Sequence, residues 1–262
     1  MFCRFARESA VESTVAARYH DPVVASLLVI KTGAALPVLV ERRKDFDTWI
    51  ATGTGIAAAD VKVVSVFQDE PLPDVHGVQG VVVSGSSAMV TDRAPWSERT
   101  AEWLREAVRL EVPTLGICYG HQLLAHALGG EVGYNPRGRN IGTIDVALRG
   151  DARADRLFGV FGDSVQVAVS HLQCVMKLPP GSTWLASSTL DPHHAFRVGS
   201  CAWGVQFHPE FDAGITRGYI EAKRTVLAEE GVDVDAILDG TLESADGTIL
   251  LRRFADVVRR RI

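Results

Sequence analysis

Along the first 130 positions, short apolar runs alternate with stretches whose apolar residues fall at helical spacing. The runs are VVASLLVI at 23–30, VKVVSVF at 61–67, GVVVSG at 80–85 and PTLGIC at 113–118. They are short, rich in β-branched side chains and largely apolar at successive positions, which predicts strands buried on both faces. Between them, the spacing predicts helices over Leu36 to Ile50, ending near Gly53 and Gly55, and over Pro95 to Leu110. In the second of these, Pro95 sits at the start, and Trp96, Thr100, Trp103, Leu104, Ala107 and Leu110 share a face. HQLLAHALGG at 121–130 predicts a further helix, closed by Gly129 and Gly130. Strands alternating with helices predict an α/β fold: a doubly wound, mostly parallel sheet with helices on both faces. Sites in such sheets lie at the carboxyl ends of the strands, where the loops at 84–87 and 118–121 fall.

The second half has a different rhythm. Gly142 to Leu148, Ser164 to Ser170, Thr183 to Ser187, Ala195 to Val198 and Ala202 to Phe207 are short strand-like runs with turn residues between them. They predict antiparallel additions to the same sheet. Beyond Ile215 the pattern returns to helix, at 215–229 and 248–261. There is no internal repeat and no low-complexity linker. We expect one body: an N-terminal extension at 1–21, the main domain at 22–214, and a C-terminal helical extension at 215–262 packed on it. That extension can cover a sheet edge, form a homodimer contact or dock a partner.

Composition adds exclusions. The chain has 262 residues, 47% of them apolar and 23% charged, an ordinary globular balance. A net charge of −5 with well-mixed signs argues against a nucleic-acid surface. Arg259, Arg260 and Arg261 close a helical pattern, where cations suit the helix dipole. No apolar stretch approaches the roughly 20 residues that span a bilayer. Arg4, Arg7, Glu8, Glu12 and Arg18 break any signal-peptide hydrophobic region, so a cytoplasmic protein is expected. The four cysteines, Cys3, Cys118, Cys174 and Cys201, contain no C-x-x-C pair. Cys174 and Cys201 fit buried thiols, and Cys3 falls in the extension.

Cys118 stands apart. Gly116-Ile117-Cys118-Tyr119-Gly120 places a cysteine at a strand-to-helix turn with glycine two residues away on each side. A nucleophile on a sharp elbow needs that room, and the positive end of the following helix favours the reactive thiolate. His208 lies 90 residues further on, at the end of the apolar run GVQF. Pro209 stops the strand, and Glu210 shares a face with His208. A histidine with a carboxylate beside it is the base and orienter that a thiol nucleophile requires. After the third strand comes Ser84-Gly85-Ser86-Ser87. The backbone amides of Gly85 and Tyr119 can together hold the negative oxygen of a tetrahedral intermediate.

GICYGHQLLAHALGG, GVQFHPEF and VVSGSSAMV, in this chain's order of loop, elbow and H-P-E, resemble the class I glutamine amidotransferases over roughly Val23 to Phe211. The resemblance implies a flavodoxin-like fold. It also implies Cys118 as nucleophile, His208 as base, Glu210 as third member of the triad, and Gly85 and Tyr119 as oxyanion donors. Gln122, Ser170 and His171 correspond to positions that line the glutamine pocket. Two positions depart from the pattern of the GMP-synthetase-like members. Gln173 stands where an acidic residue is common, and Asn140 where a glutamate usually precedes the isoleucine of RGRNIG.

The activity implied is hydrolysis of the glutamine side-chain amide through a γ-glutamyl thioester, with neither metal nor organic cofactor. The sequence contains no P-loop and no S-G-G-x-D-S loop, so either a separate synthetase chain receives the ammonia or no acceptor exists. The alternatives are a stand-alone γ-glutamyl peptidase or hydrolase, and a non-catalytic regulatory module on the same fold. A cysteine hydrolase or chaperone of the related doubly wound superfamily is a third, against which the H-P-E segment argues.

Overall fold

The computed structural model describes residues 27–260. The expected extension at 1–21 and the start of the first apolar run lie outside the described residues. In chain order the first half comprises β1 (Leu27–Lys31), α1 (Pro37–Arg43), α2 (Phe46–Thr54), β2 (Val61–Ser65), β3 (Val81–Val83), α3 (Pro95–Arg109), β4 (Thr114–Ile117) and α4 (Tyr119–Ala127). The second half comprises β5 (Glu131–Tyr134), β6 (Asn140–Leu148), β7 (Ser164–His171), β8 (Gln173–Lys177), β9 (Thr183–Ser187), β10 (Ala195–Val198) and β11 (Ala202–Val205). It closes with α5 (Ala213–Ala222), α6 (Arg224–Glu229), α7 (Val234–Asp239) and α8 (Asp246–Val258).

Nine strands form one sheet in the order β2-β1-β3-β4-β11-β10-β9-β6-β7. The pairings from β2 through β11 are parallel, and those from β11 to β7 are antiparallel. This is the expected doubly wound sheet with its antiparallel additions. β1 shows why its residues are apolar in succession. Leu27 and Val29 enter one core cluster with α2 and α8, while Leu28 and Ile30 enter another with α3 and α4. Alternate side chains of a strand face opposite ways, so a strand covered on both sides has no polar face to spare.

The structure departs from the sequence expectation at several points. The helix expected over 36–50 is two helices. Asp45 ends the first and caps the second: its Oδ1 accepts from the Phe46 N–H at 2.7 Å and from the Ala35 N–H at 2.8 Å. Its Oδ2 meets Lys31 Nζ at 2.7 Å, and Lys44 before it takes φ 72°. The helix expected over 215–229 breaks at Lys223, which takes φ −106°, ψ 9° between α5 and α6. β5 and β8, which form a separate two-stranded sheet, and the short α7 had no clear signal. β5 is four residues with no fully buried position, so it lacks an apolar pattern.

α8 is tied into the middle of the molecule. Leu250, Leu251, Phe254 and Ala255 are buried in the larger core. Asp246 Oδ2 accepts from the Gln166 N–H of β7 at 2.8 Å. At Gly247 a Cβ would lie 2.5 Å from the Pro209 carbonyl oxygen, so this helix packs directly on the backbone between His208 and Glu210.

Candidate active site

Cys118 sits at the junction of β4 and α4 with φ 50°, ψ −99°, a left-handed-side conformation that costs a side-chain-bearing residue roughly 1–3 kcal/mol. The surrounding hydrogen bonds hold it there. The Cys118 N–H donates to the Val205 carbonyl at 2.9 Å, the Gly120 N–H to the Ser84 carbonyl at 3.2 Å, and the Gln122 N–H to the Cys118 carbonyl at 3.1 Å. Both flanking glycines are required by space. A Cβ at Gly116 would lie 2.4 Å from the Gly120 oxygen, and one at Gly120 would lie 2.4 Å from the Val83 oxygen.

His208 arrives from the end of β11. Its N–H donates to the Ala168 carbonyl of β7 at 2.8 Å. Its Nδ1 lies 2.7 Å from Glu210 Oε1, which leaves Nε2 for Cys118, with which the ring is hydrogen-bonded. The Glu210 side chain is 0% exposed. Burial alone would lower the His208 pKa. The Glu210 carboxylate and the charge on the Cys118 sulfur outweigh it and push the imidazole up to about 10. The pair is therefore disposed as imidazolium and carboxylate, with the sulfur on the other side of the ring.

The ring is clamped by aromatics that carried no functional signal in the sequence. Phe211 stacks on His208 at 4.0 Å between centroids, and Phe46 stacks at 6.3 Å. Tyr219 of α5 stacks in turn on Phe211 at 5.0 Å, and Trp49 meets Phe211 edge-on at 5.6 Å. The break at Lys44 and Asp45 starts α2 where Phe46 and Trp49 reach this wall. Gly85 completes it, because a Cβ there would come 2.8 Å from His208 Cε1. Tyr119 is the first residue of α4, so its backbone N–H is one of the first-turn donors without an intrahelical acceptor.

A cleft of about 130 Å³ opens over the sulfur. Cys118, Tyr119 and Gln122 line one side, Ser86 to Met89 another, and Ser170, His171 and Gln173 the floor. Every sequence-predicted site residue thus falls at this cleft or directly behind it. Gln122 Nε2 donates to the Gln173 carbonyl at 2.7 Å and to Gln206 Oε1 at 3.0 Å. Gln173 Nε2 donates to Thr91 Oγ1 at 2.6 Å. Asn140 pairs with His171 across β6 and β7, while Gln173, two residues further on, begins β8 and pairs with Tyr134 of β5.

Behind His171 lies a second buried group. His171 Nε2 is 3.3 Å from Asp191 Oδ2, and the His171 and His194 rings meet edge-on at 5.7 Å. The His193 N–H holds Asp191 Oδ1 at 2.9 Å, and Ser188 Oγ lies 2.9 Å from His194 Nε2. Burial lowers the pKa of His171, and brings that of His194 to about 4. Burial would raise Asp191, but the two imidazoles hold it at about 2. Among the described residues this is the one group with donor atoms spaced for a metal, all within 4.8 Å of one another. Asp191 and His194 lie in a polar turn, which is why they carried no signal.

A larger cavity, about 930 Å³, lies elsewhere, beside Pro113 and Cys201 at the amino ends of β4 and β11. Burial raises the thiol pKa of its Cys201, and no imidazole is among the groups that oppose that rise. The smaller cleft is therefore the chemical one. Cys174 is likewise buried, its thiol pushed up to about 12.

The family model described as Glutamine amidotransferase class-I matches residues 38–226. The chain belongs to the class I glutamine amidotransferase family. It is 30% identical to gamma-glutamyl peptidase 3 of Arabidopsis thaliana over 154 residues, 57% of this chain and 60% of that protein. It is 34% identical to one subunit of the glutamine-hydrolyzing GMP synthase of Archaeoglobus fulgidus over 167 residues, 62% of this chain and 85% of that protein. A glutamine amidotransferase from Thermotoga maritima superposes with a TM-score of 0.71 at 23% identity, covering 88% of this chain and 97% of that one. The match spans only 28% of the GMP synthase of Porphyromonas gingivalis. No helix among the described residues is long and apolar enough to cross a membrane.

Proposed function

We propose that the chain hydrolyses the side-chain amide of glutamine through a thioester on Cys118. The observation that carries this reading is His208, hydrogen-bonded to Cys118 on one side and to Glu210 at 2.7 Å on the other. The Cys118 thiolate attacks the side-chain carbonyl carbon. The backbone amides of Gly85 and Tyr119 hold the oxygen that becomes negative. The tetrahedral intermediate collapses, the C–N bond breaks, and the nitrogen leaves as ammonia with a proton from His208. Water, deprotonated by His208, then attacks the γ-glutamyl thioester. The C–S bond breaks and glutamate is released. Glu210 fixes the His208 tautomer and stabilises the imidazolium. Gln122, Ser170 and His171 line the position of the γ-glutamyl group.

The ammonia passes to a separate synthetase chain. The A. fulgidus relative is one subunit of a GMP synthase, the match covers most of its length, and it supports that arrangement. Residues 22–214 form the amidotransferase body in this reading, and 215–262 a helical addition packed on it. The site of action is the cytoplasm, where a thiol nucleophile stays reduced. A second reading is favoured by the A. thaliana relative: a γ-glutamyl peptidase that uses the same residues, with an amine other than ammonia leaving. Cys118→Ala should abolish glutaminase turnover and labelling by a glutamine-like electrophile. Unchanged turnover in that variant refutes the reading. A wild type that cleaves γ-glutamyl dipeptides but not glutamine selects the second one.

A further inference from the structure

Two cations line the cleft, and they are placed differently. Arg139 is already paired, its Nη2 and Nε lying 2.9 and 3.0 Å from the Glu230 carboxylate oxygens. Lys223 is not. Its Nζ donates to the neutral Ser170 Oγ at 2.8 Å and stands 5.1 Å over the Tyr219 ring. No carboxylate lies within ion-pair distance of it among the described residues. It occupies the break between α5 and α6 and lines the same cleft as Cys118. An ammonium has three donors, so two remain for a ligand in the cleft.

We propose that Lys223 is a carboxylate-binding subsite of the Cys118 cleft and holds a carboxylate of the γ-glutamyl substrate. This rests on the reading of Cys118 as nucleophile. The carboxylate has two sources: the α-carboxylate of the γ-glutamyl group itself, or a carboxylate carried by the leaving amine. Either would form a charge-assisted hydrogen bond in a partly desolvated site, which discriminates against a neutral analogue by roughly 10- to 100-fold. Burial and the neighbouring Arg139 bring the ammonium pKa down to about 8, while Cys118 and Glu230 oppose that fall. His171 and the Tyr219 ring complete the groups that face it. An unoccupied cation in that setting is one that an anion would stabilise.

The test measures kcat and KM of the full chain, wild type, Lys223→Met and Lys223→Arg, on four compounds. Glutamine and γ-aminobutyramide differ only in the α-carboxylate. γ-Glutamylglycine and γ-glutamylmethylamide differ in a carboxylate on the leaving amine. We expect the wild type to favour the carboxylate-bearing member of one pair through KM, Lys223→Met to lose that preference, and Lys223→Arg to recover part of it. The pair whose preference collapses identifies the source. The wild-type kcat/KM for that member should also fall as pH rises through about 8, a limb absent in Lys223→Arg. Turnover with the same preferences in Lys223→Met, or an equal loss on all four compounds, overturns the subsite alone. A wild type that turns over none of them overturns the nucleophile reading and the subsite with it.

Discussion

Two histidine–carboxylate pairs lie within the same fold, and the pKa values of their imidazoles are pushed in opposite directions. His208 and Glu210 meet at 2.7 Å, and His208 is pushed up to about 10. His171 and Asp191 meet at 3.3 Å, and burial leaves the His171 pKa below its ordinary value. Both imidazoles are buried, so desolvation does not separate them. Their other neighbours do. His208 has the Cys118 sulfur on its far side, a second negative group. Asp191 serves two imidazoles, His171 and His194, so one carboxylate is shared. A carboxylate beside a histidine therefore defines neither a base nor a structural pair. The count of opposing charges around the ring decides it.

The comparison can be broken most forcefully by giving each pair the same isosteric change. Glu210→Gln should cut kcat/KM by a factor on the order of 10³–10⁴, because the orienting acceptor and the imidazolium's counter-charge are lost. Asp191→Asn should lower kcat/KM less than tenfold, yet destabilise the fold by about 1–2 kcal/mol by removing the buried charge that His171 and His194 share. Steady-state kinetics and denaturant unfolding on both variants check this. Equal kinetic losses would erase the distinction.

A smaller effect sharpens it through pH. The folded-state pKa of His208 lies above its unfolded value of about 6.5, so its contribution is fully present below 6.5 and is lost as pH rises toward about 10. His194 runs the other way. Its folded value of about 4 lies below 6.5, so its contribution is present above 6.5 and is lost as pH falls through 4. Thermal melts should decline at both ends. His194→Gln should flatten the decline between pH 6.5 and 4 and leave the alkaline one in place. An unchanged acid limb in that variant would remove His194 as its cause.

The parts legible in the sequence were those whose information is local. The elbow, the H-P-E segment and the buried parallel strands each declare themselves within fewer than ten residues, through glycine spacing, a proline stop or continuous apolarity. What escaped depends on contacts between distant segments. The break between α1 and α2 is set by an Asp45 cap that reaches Ala35 and Lys31, and only the fold shows that Phe46 then packs beside His208. Asp191 looks like a turn residue until β7 brings His171 to it. Lys223 sits in a polar helical stretch where a lysine is expected, and its position over the cleft follows from one backbone irregularity. β5 is too short and too exposed to show any period.

The contact of Gly247 on Pro209 has a consequence for how activity fails. The loop that carries the base and its orienter is held from behind by one helix, and that helix is fastened to β7 through Asp246. Proteins open in cooperative pieces of unequal stability, and α8, whose Leu250, Leu251, Phe254 and Ala255 lie in the larger core, belongs to the same piece as the nine-stranded sheet. Amide exchange along α8 and loss of turnover should then share the free energy of opening of the sheet itself. Inactivation under denaturant would coincide with melting of the core.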